Sequence, residues 1–183
     1  MSENKNQEPS RSVGRGMIYL MWIALIIVFA LMMQNWLDKQ RNPNQYIQVI
    51  EPGHNGNASV VLQRNKYGHY LSTGQINGQT ATFFLDTGAT DVSIPAEIAD
   101  KYGLKRGYSF QVSTANGTAT VYHTVLDSVE LGPLRLNGIQ ASINPNMDGD
   151  EILLGMSFLK HLNFMQHGNE LIISAPDQAR ISQ

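Results

Sequence analysis

The chain has 183 residues, of which 42% are hydrophobic and 15% charged, so it has enough apolar side chains to form a folded core. Its 13 basic and 15 acidic side chains nearly balance, and no basic run indicates a nucleic-acid partner. Because it has no cysteine, disulfides, cysteine zinc sites and a thiol nucleophile are excluded.

The N-terminal part combines a polar tail with a long apolar segment. Residues 1–16 are predicted to be a tail without regular structure. Residues 17–37 begin with MIYLMWIALIIVFALMM and are long enough to cross about 30 Å of hydrocarbon as a helix. Tyr19, Trp22 and Trp36 lie near its ends, as aromatic residues do at membrane interfaces. A cleaved signal peptide is the alternative, but no small-x-small cleavage site follows. The sequence therefore predicts a transmembrane helix.

The charges that flank this segment indicate an orientation. Lys5, Arg11 and Arg15 precede it, whereas Lys39 and Arg41 follow it. Because basic residues are enriched on the cytoplasmic side of membranes, this small bias favours a cytoplasmic N-terminus. In a bacterium, the chain would then be anchored in the inner membrane, with its larger part in the periplasm.

The rest of the chain has the pattern of a β protein. Residues 38–57, rich in proline, glycine and asparagine, are predicted as a linker, residues 58–175 as one domain and residues 176–183 as a tail. Asn77-Gly78 and Asn116-Gly117 each favour a tight hairpin, because asparagine and glycine tolerate positive φ angles. Strands are predicted on both sides of each turn and at Ser59–Gln63, Ser128–Leu131, Leu136–Ile143 and Leu171–Ser174, and short helices at Ala96–Tyr102 and Met156–Leu162.

The stretch FFLDTGAT, residues 83–90, has the pattern of a catalytic loop. Its apolar residues favour a buried strand, and Asp86 follows directly at the end of that strand. Gly88 permits a tight turn and the close approach of another backbone. A carboxylate held there is partly removed from water, which is costly for a structural role and useful for acid–base chemistry. The alternative is a plain turn, since Asp-Thr-Gly is also common turn chemistry.

A second motif favours the catalytic interpretation. Further along the chain, Ile152-Leu153-Leu154-Gly155 predicts an apolar strand that ends at a glycine and leads into a helix. Between the two motifs lies the Asn116-Gly117 hairpin, which is long enough to fold over a cleft. Asp-Thr-Gly alone is a weak signal, whereas DTGAT and LLGMSFL at this spacing together are a specific one.

With both motifs, the sequence resembles the retropepsin-like aspartic proteases, and it is most similar to their bacterial, membrane-anchored, single-domain branch. The resemblance covers about His69 to Ser174. It implies a mainly β, closed barrel-like acid-protease fold with a flap hairpin and one or two short helices. It also implies aspartic endopeptidase activity on a peptide or protein substrate.

The resemblance implies a role for each part of the motifs. Asp86 would be the catalytic carboxylate, Thr87 would hold the matching loop of a partner chain, and Gly88 would let substrate or the lytic water approach. Ala89 matches the retroviral pattern, whereas pepsins have a hydroxyl residue there. The other implied elements are the end of the active-site loop at Thr90, a flap at Thr114, Ala115, Asn116 and Gly117, and a bracing strand at Leu153, Leu154 and Gly155.

One chain provides one Asp-Thr-Gly motif, which predicts a homodimer. Peptide hydrolysis by carboxylates needs one group to accept a proton from water and another to donate one. The sequence around Asp127 has a strand and a hydroxyl residue but no glycine, so it does not supply the second group. A second copy of Asp86, across a two-fold axis, would complete the site.

Other functions have less support in the sequence. The histidines lack zinc-binding spacing, and the cluster of Asp148, Asp150 and Glu151 lacks the EF-hand pattern, so no metal or other cofactor is predicted. No nucleophilic serine motif or phosphate-binding glycine loop occurs. The alternative function is a membrane-tethered β domain that binds peptides or proteins without cleaving them. The intact Asp-Thr-Gly motif favours catalysis.

Overall fold

The computed structural model describes residues 11–50, 58–114 and 117–176, with side chains from residue 16 onward. The chain divides into two compact units after Asp38. Helix α1 (Arg11–Arg41) forms the described part of the first unit, and its last residues belong to the second. By length and composition, Gly16–Arg41 is suited to cross a membrane, and a signal sequence near the N-terminus would have the same character. The helix includes residues 11–16 of the predicted tail, and residues 1–10 lie outside the described chain.

The second unit consists of two β-sheets and two short helices. Its elements in chain order are β1 (Gln48–Ile50), β2 (Ser59–Gln63), β3 (Leu71–Ile76), β4 (Gln79–Leu85), β5 (Val92–Pro95), α2 (Ala96–Lys101), β6 (Ser109–Thr114), β7 (Gly117–Leu131), β8 (Leu134–Asn144), β9 (Glu151–Leu154), α3 (Met156–Leu159), β10 (Asn163–His167) and β11 (Glu170–Ser174). The four-stranded sheet has the order β1-β2-β11-β10, and the seven-stranded sheet has the order β3-β4-β9-β5-β8-β7-β6. Because β3 also pairs with β7, the larger sheet curls back on itself. The mainly β fold predicted from the sequence is confirmed.

Both sheets and both short helices contribute to one apolar core. Val60 and Leu62 on β2 are fully buried, and Val61 between them is also buried, so both faces of this strand are covered. Phe83 on β4 and Phe158 on α3 are the largest fully buried side chains. Burial of such a side chain contributes roughly 1.5–3 kcal/mol, so the strand before Asp86 and the helix after Gly155 are firmly packed.

The two predicted hairpins are present. Asn77 and Gly78 have φ angles of 50° and 78°, so both central residues of the first turn are left-handed, as a type I′ turn requires. This turn joins β3 to β4, and every residue of β3 pairs with β4. The second hairpin pairs β6 with β7, with Thr114 opposite Gly117. Ala115 and Asn116, at its tip, lie outside the described residues.

Some element boundaries differ from those predicted. The strands predicted at Ser59–Gln63 and Gln79–Leu85 have the bounds of β2 and β4. The strands predicted at Thr118–Leu126 and Ser128–Leu131 form the single 15-residue strand β7. The helix predicted to reach Leu162 ends at Leu159, because the next residues turn and enter β10, which pairs with β11. Strands β1, β5 and β10 were not predicted.

The described part of residues 38–57, predicted as a linker, contains ordered structure. β1 pairs with β2, and the side chain of Asn44 is only 3% exposed. The Asn44 amide donates to the carbonyls of Gln63 (2.9 Å) and Leu71 (2.6 Å), and its oxygen accepts the Gln63 N–H (2.6 Å). Asn44 therefore ties this segment to β2 and β3.

Candidate active site

Asp86 lies at the end of β4, a strand that has a neighbour on both sides in the larger sheet. β4 pairs with β3 on one side and with β9 on the other, and it ends at Leu85. The Asp86 N–H donates to the carbonyl of Leu154 at 3.2 Å, which continues the pairing with β9 one residue beyond β4. The backbone of Asp86 is therefore fixed by the sheet, whereas its side chain is half-buried and accessible.

The residues after Asp86 form a tight turn around its carboxylate. Oδ1 of Asp86 accepts the N–H of Gly88 at 2.9 Å, and the Asp86 carbonyl accepts the N–H of Ala89 at 3.2 Å. Thr87 and Gly88 are exposed. A Cβ on Gly88 would lie 3.2 Å from Asp86 Oδ1, closer than most Cβ contacts in proteins. This turn therefore orients one carboxylate oxygen through a backbone donor and keeps the space beside it open.

The predicted bracing strand lies directly beside this loop. β9 runs parallel to β4, with Leu85 opposite Leu154. At the start of α3, the N–H of Met156 donates to the Ala89 carbonyl and the N–H of Ser157 donates to the Thr90 carbonyl, both at 2.8 Å. The structure thus brings Leu153, Leu154 and Gly155 together with residues 86–90, the candidate active-site loop.

Ser157 adds a contact that the sequence analysis missed. Its hydroxyl accepts the N–H of Val92 at 3.0 Å and donates to the carbonyl of Gln140 at 2.8 Å. The Ser157 side chain on α3 therefore connects β5, the strand that follows the active-site loop, with β8. The sequence could have predicted this contact, because a serine in the first turn of a helix often forms hydrogen bonds with nearby backbone groups.

A groove opens beside the carboxylate. Its volume is about 680 Å³, and both Asp86 and Thr87 line it. Most of the remaining wall is apolar or aromatic, as in sites for extended or small ligands. The ring of His69 lies 4.9 Å from that of Phe84 in this wall. The other lining residues are Tyr70, Leu85, Leu159, Phe164, Gln166, Leu171 and Ile173.

The groove contains residues that the sequence analysis did not identify. His69, Phe164 and Gln166 come from segments that were not predicted to be near Asp86. Among the described residues, the Tyr70 hydroxyl is the buried side-chain group that has no hydrogen-bond partner. Tyr70 also lines the groove, although this hydroxyl itself is buried.

The predicted flap is only partly described. Thr114 Oγ1 donates to the carbonyl of Gly117 at 2.7 Å, which closes the described end of the β6–β7 hairpin. Neither residue lines the groove beside Asp86. The flap therefore remains a prediction.

Two of the three acidic residues considered for metal binding, Asp150 and Glu151, form ion pairs. Arg41 contacts Asp150 at 3.2 Å and Glu151 at 2.8 Å. Within residues 11–50, 58–114 and 117–176, no group of three histidine or acidic side chains is placed to hold a metal ion.

Comparison with known proteins gives one family match. Residues 72–161 match the model of the family described as "gag-polyprotein putative aspartyl protease". The matched segment begins on β3, includes the candidate active-site loop and β9, and ends just after α3.

Two curated relatives are uncharacterised bacterial proteins. One, encoded beside cobV in a Sinorhizobium species, is 34% identical over 114 residues, which are 61% of this chain and 49% of the relative. The other, from Rickettsia prowazekii, is 30% identical over 118 residues, 62% of this chain and 50% of the relative. The chain thus spans about half the length of the curated relatives it matches.

A solved structure is also similar. It is the crystal structure of a retropepsin-like aspartic protease from Rickettsia conorii, with a TM-score of 0.52 and 25% sequence identity. The similarity covers 70% of this chain and 94% of that one.

Proposed function

Because this chain carries a domain of the retropepsin-like fold, we propose that it is an aspartic endopeptidase with Asp86 as its catalytic residue. The observation that carries the proposal is the setting of this carboxylate. The carboxylate follows a strand whose Phe83 is fully buried, accepts the Gly88 N–H, and lines a groove of about 680 Å³ whose wall is mostly apolar or aromatic. A group held this way suits acid–base chemistry on a peptide bound in the groove.

The chemistry requires a second carboxylate, which we assign to Asp86 of another copy. One carboxylate takes a proton from water while the water oxygen attacks the carbonyl carbon of the peptide. The other carboxylate donates a proton to the leaving nitrogen as the C–N bond breaks. Two carboxylates that face one water share a proton, because they cannot both be ionised at short distance. The working form is therefore a homodimer with one active site on its two-fold axis.

The neighbouring residues support this role by fixing the loop. The Ala89 and Thr90 carbonyls are held by N–H groups of α3, and Gly88 leaves space beside the carboxylate. Thr87 is exposed, so its hydroxyl is available to hold the partner's loop. The flap at residues 114–117 would cover the bound peptide.

Helix α1 is proposed as the membrane anchor. Its apolar length suits a span, and the basic residues at its ends favour a cytoplasmic N-terminus. The protease domain would then lie in the periplasm of a bacterium and act on substrates near the inner membrane.

The test is peptide cleavage by full-length protein in detergent. Asp86→Asn keeps the shape of the side chain and removes its proton chemistry, so cleavage of a peptide library should fall by at least about two orders of magnitude. Asp127→Asn is the matched control, because Asp127 is an exposed carboxylate elsewhere and its loss should leave cleavage unchanged. Wild-type cleavage by the Asp86 variant would refute the assignment. Binding without cleavage by the wild type would favour the non-catalytic alternative.

A further inference from the structure

The turn between β2 and β3, residues 64–68 (RNKYG), is held in shape by the side chain of Asn65. This side chain is buried, with Asn65 only 8% exposed. Its Oδ1 accepts the N–H groups of Tyr67 at 2.9 Å and of His69 at 3.0 Å. The Asn65 carbonyl also accepts the N–H of Gly68 at 3.0 Å. Lys66 and Tyr67 are therefore exposed residues on a well-bonded turn.

The same turn is bonded to the residues that follow the proposed membrane span, residues 17–37. Asn65 Nδ2 donates to the carbonyl of Arg41 at 3.0 Å, and Lys66 Nζ donates to Gln40 Oε1 at 2.8 Å. All four residues belong to the second compact unit, which begins at residue 39. Within this unit, the turn therefore lies directly beside residues 40 and 41.

Residues 40 and 41 are close in the chain to the end of the proposed span. Gln40 is three residues beyond Leu37. Three residues rise about 4.5 Å in a helix and reach at most about 11 Å when fully extended. The headgroup layer of a bilayer is about 5–8 Å thick on each side of the hydrocarbon. If residues 17–37 cross the membrane, the turn bonded to Gln40 lies at the level of the headgroups or directly beside them.

The exposed side chains of this turn suit that environment. The Lys66 ammonium lies 5.0 Å from the centre of the Tyr67 ring, and Tyr67 is 64% exposed. Tyrosine favours the headgroup level because its ring is apolar and its hydroxyl polar, and basic side chains attract anionic headgroups. The turn also contains Arg64 and no acidic residue. Such residues are common in solvated turns, and the bonds to Gln40 and Arg41 distinguish this turn from them.

The charges around the turn leave a small positive excess. Arg41 pairs with Asp150 at 3.2 Å and with Glu151 at 2.8 Å, so these three groups together carry one negative charge. Asp38 adds a second negative charge. The opposing basic residues are Lys39, Arg64 and Lys66. Attraction to anionic lipid therefore adds to the insertion of Tyr67 and does not replace it.

We propose that the turn of residues 64–68 docks on the phospholipid headgroup layer, with Tyr67 inserted at the interface and Lys66 beside lipid phosphates. This inference rests on the membrane anchor in the proposed function, and it adds a second contact with the bilayer, made by the β domain itself. His69, which lines the groove, follows the turn directly. Docking would therefore keep this part of the groove wall close to the lipid surface.

The absence of cysteine permits a direct test with the full-length protein. Tyr67→Cys is labelled with a small fluorophore and reconstituted in vesicles of phosphatidylcholine and phosphatidylglycerol that carry a nitroxide on the headgroup. Tyr108→Cys is the matched control, because Tyr108 is 68% exposed and lies on β6. Quenching should be at least about twofold stronger at position 67 than at position 108. Equal quenching at the two positions would overturn the docking.

A charge reversal tests the part assigned to Lys66. In the labelled Tyr67→Cys protein, Lys66→Glu places a negative charge beside the lipid phosphates, so quenching should fall by about half or more. Lys101→Glu, at an exposed lysine on α2, is the control for the change in net charge and should leave quenching unchanged. Equal quenching in the two charge variants would refute the contact between Lys66 and lipid.

Tryptophan fluorescence separates this inference from the proposed anchor. Both tryptophans of the chain, Trp22 and Trp36, lie in residues 17–37, so lipids brominated on their acyl chains should quench them if this segment spans the bilayer. Quenched tryptophans with an unquenched label at position 67 would leave the anchor standing and refute the docking. Unquenched tryptophans would refute the anchor, and the docking with it. Asp86→Asn should leave both signals unchanged, so the catalytic assignment is tested independently by cleavage.

Discussion

The backbone of Gly155 lies against the carbonyl oxygen of Asp91: a Cβ placed on Gly155 would be 2.3 Å from that oxygen and 2.7 Å from the carbonyl oxygen of Ala89. Real Cβ atoms do not approach backbone this closely, and neither oxygen belongs to a side chain that can rotate away. The glycine therefore allows β9 and α3 to reach the back of the candidate active-site loop.

We expect Gly155→Ala to force this contact apart. Overpacking of a well-packed site typically costs about 1–3 kcal/mol, and here the displaced atoms include the carbonyl of Ala89, which the N–H of Met156 binds. Urea unfolding should show the lower free energy, and peptide cleavage should fall with it. Gly16→Ala, at a glycine with open space around it, should leave unfolding of the β domain unchanged.

Gly88→Ala should damage the site without damaging the fold. The added Cβ would lie 3.2 Å from Asp86 Oδ1, so the carboxylate must move by a few tenths of an ångström. Because small misplacements of a catalytic group are costly, cleavage should fall by roughly tenfold or more, while the unfolding free energy changes little. Measuring kcat and the free energy of unfolding for both glycine variants separates the role of Gly88 in positioning the carboxylate from the role of Gly155 in packing. Unchanged cleavage would show that the carboxylate tolerates the shift.

Ser157→Ala should lower stability through lost backbone hydrogen bonds. The substitution leaves the N–H of buried Val92 and the carbonyl of Gln140 without the serine hydroxyl. A buried group left unsatisfied costs about 1–3 kcal/mol, so denaturant unfolding should reveal a loss of that size. Ser109→Ala, at an exposed position on β6, is the control and should be neutral. Equal stability of both variants would mean that water replaces the hydroxyl.

Tyr102 should make stability sensitive to alkaline pH. Burial raises the pKa of Tyr102 above its ordinary value of 10.0, and its hydroxyl donates to the Thr80 carbonyl at 2.6 Å. The folded state holds the Tyr102 proton more tightly than the unfolded state does. The contribution of this tyrosine to the free energy of unfolding is therefore complete below about pH 10 and is lost as pH rises through the folded-state pKa. Unfolding free energy should therefore fall more steeply above pH 10 in wild type than in Tyr102→Phe. Tyr108→Phe, at an exposed tyrosine, should keep the wild-type slope.

Local chemistry explains what the sequence could predict. Asn77-Gly78 specifies its own turn through two positive φ angles, and the apolar run before Asp86 specifies a strand with Phe83 in the core. Both signals lie within a few residues of what they determine. The retropepsin-like fold followed from two such motifs, and the parallel pairing of β4 with β9 places them side by side.

Nonlocal pairing explains what the sequence could not predict. β10 (NFMQH) has no β-branched residue, and it is a strand because it pairs with β11. Consequently Phe164 and Gln166 were not expected in the groove. Similarly, β1 lies in a segment whose composition indicates a linker, yet pairing with β2 and the amide of Asn44 hold it in place.

Asn44 and β1 also determine how the β domain would separate from the proposed membrane anchor. If a protease cut the chain between Ile50 and Ala58, the polypeptide would be broken, but β1 would still pair with β2, and Asn44 would still bond to Gln63 and Leu71. The severed N-terminal piece, which includes the proposed anchor, would stay attached as a noncovalent strand. We therefore expect release from the proposed anchor to need two events, a cut and the later dissociation of this strand, so that a nicked chain keeps its β domain on that anchor until the strand is lost.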